Sequence, residues 1–458
     1  MNIRDRNVVV LGLGVTGLSA ARWIARHGAK VRVADTRASP PGAAALAAEL
    51  PRVPLVTGPF NAATFEGADL IVISPGLSKD QAPIAAAVTR GAELVGDVEL
   101  FARALPRGRR VLAITGSNGK TTVAALTGEL TRAAGLTSAV VGNIGEPVLD
   151  ALSEFERTGS WPDVIVIELS SFQLETTASL AANAATVLNV TENHLDRYAG
   201  LAEYASAKAR IFNGDGEQII NRDDAYSRAM RLPGRSVQTF GASVPESDFD
   251  WGLVRRNGNI WLARGGALLL AADEMALIGR HNALNALAAL ALTSTVAKID
   301  SKVLAALAAF RGLPHRMERI AEIGGVLFVN DSKGTTVAAT QAALAGLDRP
   351  AVLIAGGEGK GQDFSPLRTS VDAHCRAVVL IGRDAALIAA ALAGAKPPVE
   401  FAPLLEIAVA RATSHAVSGD AVLLSPACAS FDMFRDYLDR GDRFRAAVAA
   451  HAVEVAHA

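Results

Sequence analysis

The sequence predicts an α/β protein of three domains with mainly parallel sheets. Three observations carry this. The chain has 458 residues, enough for two to four domains. Short β-branched runs alternate with long Ala/Leu-rich stretches along its whole length, the pattern of parallel strands covered by helices on both faces. And the alternation starts afresh three times: at the N-terminus, at Val111 and near Val326.

Taken in order, Val8–Leu11, Val31–Ala34 and Leu70–Ile73 are the strands of a first series. Val111–Ile114, Val164–Ile167 and Thr186–Val190 belong to a second, and Val326–Val329, Val352–Ala355, Ala377–Ile381 and Ala421–Leu424 to a third. Leu253–Ala272 differs: two short runs flank Asn257-Gly258, a hairpin signal, and predict a small antiparallel insertion. Boundaries near Val98 and Gly312 give domains 1–98, 99–312 and 313–458. In such folds the functional residues gather where strands run into helices.

Composition excludes several classes. Lys and Arg number 45 against 46 Asp and Glu, so no basic footprint for nucleic acid exists, and 5% aromatic content leaves few stacking platforms. Two cysteines, Cys375 and Cys428, make no disulfide framework or zinc spacing, and a reducing cytoplasm is expected. The start, Arg4 and Arg6 before apolar Val8–Val15, has the form of a signal peptide, but Gly12, Gly14 and Gly17 explain it better as a nucleotide loop. Asn285, Thr293, Ser294 and Thr295 interrupt the apolar stretch Ala283–Ala297, so no membrane insertion is expected.

The most informative segment is Val111–Thr122, VLAITGSNGKTT. A buried strand runs into a glycine turn and a helix start, whose backbone N–H groups suit phosphate oxygens. Lys120 adds a point charge there, and a Thr hydroxyl can reach Mg²⁺. Ile114 stands where the strict P-loop wants glycine, so this is a variant. Gly12-Leu-Gly-Val-Thr-Gly17 with Asp35 is a dinucleotide fingerprint; Asp35-Thr36-Arg37 suits a uridine or ribose diphosphate as well as adenosine. Glu168 ends a strand, the usual position of a second Mg²⁺ support in a P-loop domain.

Other segments admit bland readings. His194, in Asn193–Arg197, reads by itself more often as a structural hydrogen-bonder than as a ligand, and Lys208 by default as a solvated lysine on a helix over Leu201–Phe212. Helix capping covers Asn282 and Ser332 but accounts poorly for Arg316, Lys333 and Lys360 in glycine-rich surroundings. Cys428 is expected to be a small buried residue. A nicotinamide-dependent dehydrogenase would explain Gly12–Asp35 but not the Lys120 loop, and a non-enzymatic nucleotide switch would explain that loop alone.

TGSNGKTT, ELSSFQLE, NHLDR, GRHNALNALAA, GLPHRME, NDSKGTT and GGEGKGQDFSPL follow one another along the chain. Together they resemble the Mur ligase family, which adds amino acids to the cell-wall precursor, and the NDSK segment points to its D-glutamate-adding branch. The resemblance implies a Rossmann-like N-terminal domain, a P-loop ATPase-like central domain and a Rossmann-like C-terminal domain. It implies an ATP-dependent, cytoplasmic, monomeric ligase joining D-glutamate to UDP-N-acetylmuramoyl-L-alanine through an acyl phosphate, with two Mg²⁺ sites. A sibling amino-acid ligase, the folylpolyglutamate type included, is the alternative.

Residue by residue, the resemblance gives the uridine substrate Val15, Thr16, Asp35, Thr36, Arg37, Ser74, Gly76, Asn143, Ser170 and Gln173. ATP falls to Gly116, Asn118, Gly119, Lys120, Thr121, Thr122, Asn282, Asn285, Arg316 and Asp331, with His315 nearby. Catalysis and metal fall to Lys120, Thr121, Glu168, His194 and a carbamylated Lys208. D-Glutamate would meet Lys333, Thr335, Lys360, Ser430, Phe431 and Tyr437. The chain departs from the family's usual residues at Asn193, Gly334, Thr336 and Tyr437.

Overall fold

In a computed structural model, residues 2–192, 197–277, 279–347 and 349–457 are described, and they build three sheets. The backbone divides into two compact units, one of residues 1–270 and 285–307, the other of 271–284 and 308–458.

The first unit holds two sheets. Strands β1 (Asn7–Leu11), β2 (Lys30–Asp35), β3 (Leu55–Thr57), β4 (Leu70–Ile73) and β5 (Glu93–Val95) pair in parallel in the order β3-β2-β1-β4-β5. Chain order reverses between β1 and β4, so the loops leaving these strands diverge and open a crevice at their C-terminal ends.

The central sheet contains β6 (Arg110–Thr115), β7 (Ser138–Gly142), β8 (Val164–Glu168), β9 (Ala184–Val187), β10 (Glu217–Asn221), β11 (Val237–Phe240), β12 (Asp250–Arg256), β13 (Asn259–Arg264) and β14 (Ala267–Ala271). Its order is β14-β13-β12-β11-β10-β9-β6-β8-β7, with β6 between β8 and β9. The Asn257-Gly258 hairpin forms, with both residues at positive φ (51° and 83°) as a tight two-residue turn demands. β12 pairs in parallel with β11 and carries the hairpin onto the edge of the same sheet.

In the second unit β15 (Glu318–Ile323), β16 (Val326–Asn330), β17 (Ala351–Gly356), β18 (Cys375–Ile381), β19 (Val399–Phe401) and β20 (Ala421–Leu424) lie in the order β15-β16-β20-β17-β18-β19. All pair in parallel except β15. Asn330 and Ile354 both register with Leu424, so three loops leave the sheet at one level.

The near-continuous apolar runs of the strands are buried, as sheets covered on both faces require. The helix Arg280–Ser294 is apolar all round because Ala286–Leu292 are fully enclosed by protein. Among the described residues no helix is long and apolar enough to cross a membrane.

Candidate active site

The crevice at β1 and β4 is a cleft of about 580 Å³. Nine residues expected at a uridine substrate line it: Val15, Thr16, Asp35, Thr36, Arg37, Ser74, Gly76, Asn143 and Gln173. Gly17 cannot be larger, since a Cβ there would lie 1.8 Å from the Gly12 carbonyl oxygen. The helix Val15–Arg26 begins with no side-chain cap and no acidic residue in its first turn, which leaves its N–H groups to face the cleft. Asp35 is fully engaged: it accepts from Leu13 N (2.7 Å) and from the Arg37 guanidinium (2.6 and 2.9 Å). The Arg37 bonds hold its carboxyl down at about 2. Ser170 stands behind the cleft wall, exchanging capping hydrogen bonds with Gln173 and so fixing the amide that does line it.

A second constellation forms at the end of β6. Gly119 caps the helix Lys120–Ala133 at φ +82°, and a Cβ on it would meet Asn285 Oδ1 at 2.5 Å, so Asn285 stands against the loop. Asn282 falls in the second unit, buried on the helix Arg280–Ser294. Lys120 Nζ donates to the Gly116 and Ser117 carbonyls (2.8 and 3.0 Å). Lys208, far from solvated, is 1% exposed and donates to the same Gly116 carbonyl at 3.0 Å, with its ammonium 4.3 Å from the Tyr204 ring centroid. Burial, reinforced by Lys120, pulls its amine down to about 6, against the pull of Glu168.

Glu168 lies level with Ile114 across β6 and β8. Its Oε1 accepts from Asn143 Nδ2 at 2.9 Å, while its buried Oε2 has no hydrogen-bond partner. A buried carboxylate oxygen with nothing to accept from suits a hard cation, and Thr121 offers a buried hydroxyl in the first turn of the helix Lys120–Ala133. Among the described residues no three His, Cys, Asp or Glu cluster as a metal cage. His194 lies outside the described residues.

Several braces here escape sequence reading. Asn189 accepts from Asn118 N at 2.8 Å and donates to the Asn118 carbonyl, and Ser117 exchanges bonds with Thr191. The predicted strand Thr186–Val190 therefore stops at Val187, because Leu188–Thr191 turn to hold the phosphate loop. Arg197 donates to the Pro75 carbonyl (3.2 Å) and to Glu175 (2.8 Å), tying the cleft turn to the central sheet's helices.

In the second unit three loops meet: Asp331–Thr336 after β16, Gly357–Asp363 after β17 and Ser425–Phe431 after β20. Lys333 Nζ lies 3.9 Å from the Tyr437 ring centroid and Lys360 Nζ 5.2 Å from that of Phe431. Gln362 laces the loops together, donating to Gly359 O (3.0 Å), Ala427 O (3.2 Å) and Thr335 O (3.4 Å) and accepting from Val337 N. Asp331 accepts from Ser425 Oγ (2.7 Å) and Met317 N, and burial pushes its carboxyl up to about 7. A Cβ on Gly334 would fall 2.4 Å from Asp331 Oδ2, so this geometry calls for the glycine that sets the chain apart from the usual NDSKA.

His315 and Met317, either side of Arg316, both take positive φ, as do Lys360 and Ala427. Among the described residues, four of the six non-glycine residues at positive φ thus sit at one sheet edge, and such strain gathers at functional sites. Ser430 is buried, and Phe431 is exposed. Cys428 is buried as expected, its thiol pushed up to about 12 by desolvation.

These features define a P-loop nucleotide-binding α/β protein with a second, anion-suited cleft at its N-terminal sheet. Family models match at three places: the Mur ligase MurD-like N-terminal domain over residues 6–96, the Mur ligase middle domain over 114–293, and the Mur ligase glutamate ligase domain over 315–428. The chain belongs to the Mur ligase family. It is 54% identical over 449 residues to the UDP-N-acetylmuramoylalanine–D-glutamate ligase of Methylobacillus flagellatus, covering 98% of both chains. The Nitrosospira multiformis protein of the same name is 53% identical over 457 residues, 98% of this chain and 96% of that one. Among solved structures, the UDP-N-acetylmuramate–alanine ligase of Thermotoga maritima shares the fold (TM-score 0.59, 19% identity, 97% and 99% of the two chains). So does the folylpolyglutamate synthase of Mycobacterium tuberculosis (TM-score 0.55, 19% identity, 74% and 91%).

Proposed function

We infer that this chain is an ATP-dependent ligase that adds D-glutamate to UDP-N-acetylmuramoyl-L-alanine in peptidoglycan synthesis. The observation that carries it is full-length identity of about half to ligases of that name, on a chain that keeps the phosphate loop, the cleft and the two lysine loops. We propose that it works in the cytoplasm as a monomer, with domains 1–98, 99–312 and 313–458.

The reaction begins with attack of the substrate's terminal carboxylate on the γ-phosphate of ATP, giving an acyl phosphate and ADP. The neutral amine of D-glutamate then attacks the acyl carbon, and inorganic phosphate leaves as the amide forms. The first cleft orients the uridine diphosphate, whose phosphates lie toward the uncapped helix start beside Val15 and Thr16 while Asp35, Thr36 and Arg37 hold the sugar end. Gly116–Thr122 cradle the ATP phosphates, and Lys120 leaves its own loop carbonyls for phosphate oxygens. We assign Asn282, Asn285, Arg316 and Asp331 to the nucleotide as well.

Mg²⁺, held by Thr121, Glu168, His194 and a carbamylated Lys208, would supply charge neutralisation between two anions that must meet. The depressed Lys208 supports the modification: a neutral amine attacks the carbon of CO₂, the N–C bond forms, one proton is lost, and a cation becomes a carboxylate-like ligand. D-Glutamate goes to Lys333, Thr335, Lys360, Ser430, Phe431 and Tyr437, two cations for two carboxylates. The test is phosphate release with ATP, UDP-N-acetylmuramoyl-L-alanine and a panel of D- and L-amino acids. Release with D-glutamate alone is expected; release with another amino acid in its place would move the chain to a sibling activity.

A further inference from the structure

We propose that Arg440 is a positioning residue of the amino-acid pocket, whose buried guanidinium locks the loops after β16 and β20 to the start of the last helix and sets a fixed positive charge behind them. The proposal rests on the reading of this pocket as the D-glutamate site.

Arg440 has no exposed surface, yet it is a full cation in the protein interior. Its Nε donates to Ser332 Oγ (3.0 Å), its Nη2 to the Ser332 carbonyl (2.8 Å) and its Nη1 to the Cys428 carbonyl (3.1 Å). Ser332 Oγ in turn donates a hydrogen bond to the Tyr437 carbonyl at 2.8 Å. The guanidinium thus reaches the residue before Lys333 and the residue two before Ser430, and through the Ser332 hydroxyl it is linked to the backbone of Tyr437. Those are three of the four segments that carry the proposed glutamate contacts, the Lys360 loop being the fourth, and the Ser332 bonds span more than a hundred positions of sequence.

All three acceptors are neutral, and no carboxylate of the described residues forms an ion pair with Arg440. Burying a cation with no carboxylate in hydrogen-bond contact is unfavourable, and an apolar side chain could fill the same space. The arrangement gains a purpose when negative charge arrives from outside the protein. Asp432 and Asp331 act on it only through space, and burial holds the Asp331 carboxyl toward its neutral form. Burial lowers Arg440 only to about 10, so the charge persists at neutral pH. A dicarboxylic amino acid held by Lys333 and Lys360 is the ligand whose charge this field complements. Lysine could keep the charge but not the three-way planar fork.

The experiment measures separate apparent KM values for D-glutamate, ATP and the uridine substrate in the parent, Arg440→Lys and Ser332→Ala. Loss of a charged hydrogen-bond network costs roughly tenfold or more in affinity, so Arg440→Lys should raise the D-glutamate KM by at least about tenfold and move the other two by less than about twofold. Ser332→Ala, which removes one hydroxyl and little volume, should shift the same KM about three- to fivefold with a near-parental melting temperature. If Arg440→Lys does not fold, Ser332→Ala decides alone. Equal shifts of all three KM values, a fall in kcat alone, or an unchanged D-glutamate KM in a folded Ser332→Ala overturns the proposal. Parental turnover with D-glutamate is measured first; its absence refutes the function and this proposal together, whereas parental turnover with unselective variants refutes only the role of Arg440.

Discussion

The phosphate loop at β6 and the lysine loops after β16, β17 and β20 occupy the same place in two parallel sheets, yet they store their readiness differently. At β6 the departure is electrostatic: Lys208 is buried and drawn toward its neutral form, and Glu168 keeps an unpartnered oxygen. In the second unit the departure is conformational. His315, Met317, Lys360 and Ala427 hold left-handed backbone, and Gln362 and Arg440 lace the loops through neutral acceptors. The contrast sets an unpartnered carboxylate oxygen and a depressed amine in the first region against backbone shape fixed around one buried cation in the second.

If that division holds, the largest effects belong to the first region. Glu168→Gln preserves shape and removes charge, so turnover should fall by at least about a hundredfold with an unchanged melting temperature. Activity within a few-fold of the parent would break the comparison at its strongest point. Lys208→Ala should be equally inactive, and short-chain carboxylates should restore at least about tenfold of the lost rate by supplying the missing oxygens. Full activity of the alanine variant would show that the buried amine has no part in the chemistry.

In the second region Lys360→Ala should raise the apparent KM for D-glutamate by at least about tenfold and leave those for ATP and the uridine substrate nearly unmoved. Equal shifts in all three would make its strained loop a nucleotide element. The smallest effect comes from the first cleft, where Asp35 is paired and serves as the control. Its folded value lies below the ordinary one, so its stabilisation is present above about pH 4 and disappears as the pH falls toward about 2. Allowing for the exposure of Arg37, Asp35→Asn should cost about 1 kcal/mol at pH 6 and almost nothing near pH 2, read from urea unfolding. A pH-independent difference would mean that shape, not charge, carries the pair.

Much of this was legible in the sequence, because parallel strands buried on both faces announce themselves as apolar runs, and phosphate loops need glycine at fixed spacing. Glu168 and the Asn257-Gly258 turn could be placed for the same local reasons. The joining of the hairpin to the central sheet could not, since the two-residue pairing of β11 with β12 leaves no local trace. Asn189, Gln362 and Arg440 were missed because each acts on partners distant in sequence and none has a distinctive neighbourhood. Lys208 looked solvated by composition; only the fold shows that its helix turns it inward.

The acyl phosphate is the step on which the whole account turns, and isotope transfer tests it directly. UDP-N-acetylmuramoyl-L-alanine labelled with ¹⁸O in its terminal carboxylate is turned over with ATP and D-glutamate, and the released phosphate is analysed by mass. The account predicts one labelled oxygen in each phosphate, carried over when the carboxylate attacks the γ-phosphorus. Unlabelled phosphate alongside amide formation would contradict it.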